Sequence, residues 1–169
     1  MKKLWIIDGY HFVIRNYYAS NGADGVIGFF NSLFSLINTK GVKNIVIAWD
    51  DSSDTPNIRK NIYPEYKQKK ISKKKKKEKE IIQNEIDTVK LICKSKFGIP
   101  SIEVKGYEAD DIIKNIVNFN KEKGINIIVT ADKDMKQLLN KNTYIYDFFS
   151  RYKESKIFKR SVKNFKKEY

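Results

Sequence analysis

The stretch Gly106–Asp111, with the sequence GYEADD, places three carboxylates within four residues. An apolar helical pattern follows at once from Ile112 to Val117, so the acids are predicted to lie at a helix N-terminus. The helix dipole favours negative charge there by only ~0.3–1 kcal/mol per group, which is too little to hold three repelling carboxylates together. A divalent metal is the usual compensating charge. The alternative is the ordinary enrichment of acids in the first turn of a solvated helix.

Acids follow three other apolar segments in the same way. The predicted strands and the acids after them are Leu4–Ile7 with Asp8, Asn44–Trp49 with Asp50, Ser101–Val104 with the Glu108–Asp111 cluster, and Asn126–Thr130 with Asp132 and Asp134. Helical patterns are predicted over Val26–Lys40, Lys79–Lys96, the cluster to about Lys123, and Met135–Asn140, with a last strand over Thr143–Tyr146. This alternation predicts an α/β fold with a mostly parallel sheet flanked by helices. The strand ends then meet at one edge of the sheet, where ligands bind.

The acid set predicts a metal site with oxygen ligands only. Such ligands suit Mg²⁺ or Mn²⁺ and argue against zinc. Two ions ~3.5–4 Å apart would suit phosphodiester hydrolysis, in which one ion activates water and both hold the oxygens of the displacement. His11 is the only histidine, so a Ser–His–Asp site is not indicated, and no phosphate-binding G-x-x-x-x-G-K-[ST] run is present. Asp8-Gly9 taken alone would be more typical of a turn than of a functional site.

The composition predicts a polyanionic partner. The chain has 169 residues, a net charge of +14 and a pI of about 9.6. Nucleic acid fits better than a membrane, because no apolar run reaches the ~18 residues that a spanning helix needs. Cys93 is the only cysteine and lies in a helical apolar pattern, which is typical of a reducing compartment. We therefore expect a cytoplasmic, nucleic-acid-associated protein.

A basic tract interrupts the regular alternation after Asp51. Arg59, Tyr63 and Tyr66 precede the run KQKKISKKKKK over Lys67–Lys77. This run has uniform charge and no apolar face, so we predict that it is mobile when free and closes on nucleic acid. A solvated basic tract or a localisation signal is the alternative. The cations that could stabilise charge on a phosphate are Arg15, Lys67 and Lys133.

Five motifs, in this order, resemble the 5′ nuclease (flap endonuclease) family, which includes the N-terminal domain of bacterial DNA polymerase I and phage 5′-3′ exonucleases. The motifs are Asp8-Gly9 with Ile14–Tyr17, Trp49-Asp50, Arg59 with Tyr63–Lys67, Gly106–Asp111, and Thr130–Met135. The resemblance covers about Leu4 to Leu139. It implies a PIN-like nuclease core, with a helical arch at about residues 67–80 through which a 5′ single strand passes.

The resemblance also implies roles for individual residues. The implied metal ligands are Asp8, Asp50, Glu108, Asp110, Asp111, Asp132 and Asp134. The implied DNA contacts are Arg15, Arg59, Tyr66, Lys67, Lys69, Lys70, Lys73, Lys74, Lys75, Lys76, Lys77 and Lys133. Among these groups we expect Lys67, Arg15 and Asp110 to act in catalysis.

The chain departs from the family pattern in three places. Ala131 stands where glycine is usual, and a slightly longer loop leaves the choice between Asp50 and Asp51 open. The family continues into a Gly-Asp-x-x-Asp-Asn segment and a helix–three-turn–helix, whereas this sequence ends at Tyr169, with a short helix expected over Ser161–Tyr169. The resemblance therefore implies a weak second metal site. It leaves three alternatives for the chain: a fragment, a truncated gene product, or half of a split enzyme whose other half is a separate chain.

Three hypotheses follow. The first is a divalent-metal-dependent 5′-3′ exonuclease or flap endonuclease that hydrolyses DNA with a 5′ single-stranded end or flap, in replication or repair. The second is a PIN-type ribonuclease with the same carboxylate core, which cleavage of matched RNA and DNA flaps would separate. The third is a truncated DNA-binding remnant that needs a partner chain. The basic, arch-like insertion favours the DNA enzyme.

Overall fold

A six-stranded sheet with helices on both faces organises the part of the protein that the computed structural model describes, residues 2–53, 58–63, 65, 72–148 and 157–158. The strands are β1 (Lys3–Asp8), β2 (Ile45–Trp49), β3 (Ser101–Glu103), β4 (Ile125–Val129), β5 (Thr143–Tyr146) and β6 (Ile157–Phe158). The helices are α1 (Gly9–Ala19), α2 (Gly25–Lys40), α3 (Ile58–Ile62), α4 (Lys73–Ile92) and α5 (Ala109–Asn120). A π-helical turn over Cys93–Phe97 and a 3-10 turn over Asp134–Leu138 complete the described elements.

The sheet order is β3-β2-β1-β4-β5-β6, and the first five strands are parallel. Among the described strands, only β6 is antiparallel, through its pairing with β5. The sheet grows outward from β1 in both directions, first through β2 and β3 and then through β4 and β5. In open α/β sheets such a switch in strand order opens a crevice beyond the carboxyl ends of the strands, which is where ligands bind. Here the switch lies between β1 and β4.

Alternate side chains of the central strands enter two separate cores. One face, with Trp5, Ile7 and Trp49, packs against α1, α2 and α4 through side chains such as Phe12 and Phe29. The other face packs mainly against α5, and its buried members include Ile6, Val46, Ala48, Ile113, Val117 and Ile128. Strands buried on both faces are typical of parallel sheets, and this explains why their sequences are continuously apolar.

The junction after β1 is a direct passage from strand to helix rather than a turn. Asp8 caps α1 by accepting a hydrogen bond at Oδ1 from the backbone N–H of His11 at 3.1 Å. A Cβ at Gly9 would lie 2.5 Å from the ring of Trp49, at the end of β2. Glycine therefore lets the first turn of α1 approach β2 closely.

The five predicted strands are confirmed, with ends that shift by at most one residue. The predicted mobility of the lysine run is wrong for Lys73–Lys77, which form the first turns of α4. Ser72 caps this helix by accepting from the N–H of Lys75 at 3.4 Å, lysine is a good helix former, and Ile82, Ile86 and Val89 anchor the helix to the core.

Several other helix ends differ from prediction. The helix predicted over Lys79–Lys96 is α-helical from Lys73 to Ile92 and then widens into the π-helical turn, which ends at Gly98 with φ 58°. The helix predicted to end near Lys123 stops at Asn120. The predicted Ser161–Tyr169 helix lies outside the described residues. Within those residues, no helix combines the length and apolar character needed to cross a membrane.

Candidate active site at the carboxyl edge of the sheet

Asp8 is the buried centre of the acidic edge. It ends β1, its side chain is among the few buried charged groups, and the residue is only 6% exposed. Its Oδ1 accepts from the backbone of His11, and its Oδ2 accepts from the hydroxyl of Thr130 at 3.1 Å. Thr130 is the first residue after β4, so this hydrogen bond spans the switch point between β1 and β4.

Four of the predicted ligands lie close enough for their negative charges to act on one another. Burial raises the pKa of Asp8 to about 7, and the negative charges of Asp50 and Asp110 add to the rise. Burial also raises the pKa of Asp110 to about 6, with contributions from Asp132 and Asp50. Carboxylates from β1, β2, α5 and the segment after β4 therefore repel one another across one edge. Such mutual repulsion is expected where a cation is to be bound.

Asp50 and Asp51 are placed differently, which bears on the choice that the sequence leaves open. Asp50 accepts at Oδ1 from the N–H of Ala109 at 2.6 Å, and its charge acts on both Asp8 and Asp110. Asp51 instead accepts from the N–H of Gly106 at 2.6 Å and from Ser53, and these hydrogen bonds lower its pKa. Asp51 thus fastens the loops after β2 and β3 to each other.

Glu108 and Asp111 are joined by a cation from the chain itself. Arg59 on α3 contacts Glu108 Oε2 through Nη1 at 2.6 Å and Asp111 Oδ1 through Nη2 at 3.0 Å. The two acids flank the start of α5, where Asp111 Oδ2 also accepts from the backbone N–H of Glu108 at 3.4 Å. The structure therefore places Arg59, expected to contact DNA, inside the acidic edge.

The segment after β4 carries the remaining predicted ligands. Asp132 is half-buried, its backbone N–H donates to the Thr130 hydroxyl at 3.1 Å, and its Oδ1 accepts from the N–H of Asp134 at 2.8 Å. Asp134 is exposed at the start of the 3-10 turn, and Lys133 beside it is also exposed. Asp134 therefore lies farther toward solvent than the four coupled aspartates.

The predicted cations are spread around the edge. Arg15 is exposed on α1, one turn beyond His11, and its charge contributes to lowering the His11 pKa. Lys75, Lys76 and Lys77 are exposed on α4. The side chains of Lys73 and Lys74 lie outside the described residues, as do Tyr66, Lys67, Lys69 and Lys70 altogether.

Thr130 is a site residue that the sequence reasoning did not single out. Its hydroxyl donates to Asp8 and accepts from the backbone of Asp132, so that one buried side chain connects two of the acids. Its position at the end of a predicted buried strand was the available signal. His11 is half-buried, and burial lowers its pKa. Within the described residues its buried Nε2 has no hydrogen-bond partner.

The candidate ligands have the chemistry that a hard divalent cation requires, but their side chains are not arranged around a single ion. All candidate ligands are carboxylates, and two of them have raised pKa values that a nearby cation would lower. As they stand, however, no three acidic, histidine or cysteine side chains among the described residues are close enough to share one ion. Coordination therefore requires side chains to turn, and those paired with Arg59 are the clearest candidates.

The sequence is similar to those of a bacterial 5′-3′ exonuclease and a bacterial DNA polymerase I. The chain is 34% identical over 154 residues to the 5′-3′ exonuclease of Aquifex aeolicus, a match that covers 86% of this chain and 50% of that protein. It is 31% identical over 176 residues to DNA polymerase I of Caldicellulosiruptor bescii, covering 99% of this chain and 20% of the polymerase. The chain thus spans about half the length of the exonuclease that it matches.

The fold is shared with a solved nuclease. The flap endonuclease of bacteriophage T5, solved as a pseudo-enzyme-product complex with DNA and metal ions, superposes with a TM-score of 0.68 at 18% identity. The superposition covers 86% of this chain and 54% of the phage protein. The expected PIN-like nuclease fold is confirmed. Residues 3–169 match the model of the 5′-3′ exonuclease N-terminal, resolvase-like domain, and the chain belongs to that family.

Proposed function

We propose that this chain is a divalent-metal-dependent 5′ nuclease that hydrolyses phosphodiester bonds of DNA at or near 5′ ends. The observation that carries the proposal is the convergence of Asp8, Asp50, Asp110 and Asp132, whose charges raise the pKa values of Asp8 and Asp110. Carboxylates in this state are poised to exchange protons for a hard cation. The family and the net charge of +14 direct the chemistry toward nucleic acid.

The cation that we propose is Mg²⁺ or Mn²⁺. We propose that Asp8, Asp50, Asp110, Glu108 and Asp111 would hold one ion, the last two after release from Arg59. Asp132 with Asp134 would hold a second, more exposed ion. When bound, such ions activate water and stabilise the oxygens of an in-line phosphoryl displacement. We assign Asp50 rather than Asp51 to the site, because Asp51 is engaged in fastening two loops.

The chain's own residues would position these groups and bind the substrate. Thr130 fixes the carboxylate of Asp8 in a buried orientation and ties it to the segment of Asp132. Arg15 and Lys133 are exposed and would bind phosphate oxygens beside the acids. The exposed lysines of α4 would attract the backbone of a single strand. We also propose a catalytic role for Lys67, by resemblance to the family.

We propose DNA with a 5′ single-stranded end or flap as the substrate. The T5 relative of like fold is a flap endonuclease solved with DNA. Because the Aquifex exonuclease is twice as long as its matched part, we propose that rapid, junction-selective cleavage also draws on residues equivalent to its other half. Such a segment, fused or supplied as a separate chain, is expected to increase the rate and the preference for a flap over a plain single strand.

The test is single-turnover cleavage of a 5′-labelled flap across a titration of Mg²⁺ and, separately, Mn²⁺. A single strand of the same sequence and an RNA flap serve as alternative substrates. Asp110→Asn should abolish cleavage and remove the rise in melting temperature that Mn²⁺ gives the unmodified protein. Asp87→Asn, on the exposed side of α4, is the matched control and should change neither measurement.

Three outcomes would overturn the proposal. Cleavage that persists in Asp110→Asn, or that needs no divalent ion, would exclude the acidic edge as the catalytic site. Preferential cleavage of the RNA flap would replace the DNA enzyme with a ribonuclease.

A further inference from the structure

The paired position of Arg59 has a consequence for how the acidic edge binds cations. Its guanidinium reaches two acids at once, Glu108 at 2.6 Å and Asp111 at 3.0 Å, with a separate nitrogen for each. The short helix that carries it is tied to the loop before α5, because the N–H of Ile58 donates to the carbonyl of Gly106 at 2.9 Å. The contact therefore joins two elements that are each anchored to the same loop.

The ion pairs of Arg59 are partly exposed to solvent. The Arg59 side chain is 34% exposed, against 11% for Glu108 and 31% for Asp111. Arg59 thus neutralises the same group of carboxylates that a divalent ion would neutralise. Two cations so close together would repel each other strongly.

We infer that Arg59 is the resident counter-cation of the acidic edge and competes with divalent metal for Glu108 and Asp111. This inference rests on the proposed metal site. In the metal-free protein both acids are engaged by the arginine, and no three of the described acids can share an ion as they stand. A metal that recruits either acid has to break a charge-assisted hydrogen bond to Arg59.

Displacement would give the arginine a second partner. A guanidinium that exchanges two carboxylates for a phosphodiester can make the same forked contacts with it. Phosphate and metal would then each favour the other, since each removes one competitor for the other's binding groups. Such coupling is reciprocal by thermodynamic necessity. DNA should therefore tighten metal binding, and metal should tighten DNA binding, through this one side chain.

The test compares the unmodified chain with Arg59→Gln, Arg59→Lys and the matched charge control Lys121→Gln, at the far end of α5. Mn²⁺ affinity is measured by electron paramagnetic resonance of the free ion, without DNA and with an uncleavable phosphorothioate strand. We expect Arg59→Gln to bind Mn²⁺ about tenfold more tightly without DNA, the scale of a charge-assisted contact on a partly exposed side chain. In the same variant, DNA should tighten Mn²⁺ binding by less than it does in the unmodified chain. Lys121→Gln should behave as the unmodified chain.

Each result has one meaning. If the unmodified chain binds no Mn²⁺, the metal site itself is wrong and this inference falls with it. If that chain binds Mn²⁺ but Arg59→Gln binds it equally or more weakly, the metal site stands and the competition is refuted. Melting in EDTA provides a second measurement: Arg59→Gln should melt lower than the unmodified chain, and Mn²⁺ should raise its melting temperature by more. Arg59→Lys keeps the positive charge but cannot contact two acids through separate nitrogens. Its Mn²⁺ affinity and melting temperature should lie between those of the unmodified chain and Arg59→Gln. It replaces Arg59→Gln in the test if the glutamine variant does not fold.

Discussion

Replacing Asp8 by asparagine should stabilise the metal-free protein at neutral and alkaline pH. Burial raises the pKa of Asp8 from 3.8 in the unfolded chain to about 7 in the folded one. Because the folded state holds this proton more tightly, the contribution of Asp8 to stability is greatest below pH 4 and is lost as the pH rises through about 7. A difference of about three pKa units corresponds to at most about 4 kcal/mol. Asparagine has no charge to bury and can still accept from the N–H of His11.

We expect Asp8→Asn to gain about half of that limit in free energy of unfolding. If the asparagine keeps its oxygen on the N–H of His11, it turns an NH2 donor toward the Thr130 hydroxyl, which now donates to Asp8. A gain of about 2 kcal/mol corresponds to a rise of roughly 4–8 °C in melting temperature for a chain of this size. The assay is thermal unfolding of Asp8→Asn and the unmodified chain in EDTA, from pH 4 to pH 8. The advantage of the variant should be small at pH 4 and largest at pH 8.

Asp51→Asn is the control of opposite sign. Hydrogen bonds lower the pKa of Asp51, so its contribution to stability is present above the unfolded pKa and is lost in acid. This variant should melt below the unmodified chain at pH 8, and the gap should close toward pH 3. If Asp8→Asn melts lower than the unmodified chain at pH 8 in EDTA, the reasoning that Asp8 is a buried, penalised charge is refuted.

Two further predictions concern binding and packing. Replacing Lys75, Lys76 and Lys77 by glutamine keeps the helix and should reduce the slope of log K against log salt for single-stranded DNA by up to about 0.7 per lost phosphate contact; an unchanged slope in a salt titration would mean that these lysines only face solvent. Gly9→Ala should destabilise the protein by about 1–3 kcal/mol in urea unfolding, because its Cβ would lie 2.5 Å from the Trp49 ring. An equal midpoint of unfolding would show that the ring moves aside freely.

The strands could be predicted because their continuously apolar sequences match their burial on both faces of the sheet. Runs such as Leu4–Ile7 and Asn126–Thr130 are buried on both faces, and continuous apolar sequence is what that setting requires. The placement of the acids followed from the topology, since parallel strands bring their carboxyl ends to one edge. Pattern and chain direction alone therefore located the acidic edge.

Other features depend on contacts that a single segment does not contain. The start of α4 was missed because uniform charge suggested mobility, whereas a serine cap and an apolar face several turns later extend the helix to Lys73. The pairing of Arg59 with Glu108 joins residues 49 positions apart, and no local pattern reports it. The distinction between Asp50 and Asp51 likewise depends on which backbone amides the folded loops present to each.

The central position of β1 also fixes when the acidic edge can form during synthesis. β1 leaves the ribosome first, yet one of its two neighbours, β4, ends only at Val129. At about 5–20 residues per second, translation needs roughly 6–25 s to supply that neighbour. Until then Thr130 and Asp132 do not exist, and Asp8 has neither its hydroxyl donor nor its opposing charge. A nascent chain that has not yet reached Asp132 therefore cannot assemble this edge, however well its first strand and helices have folded.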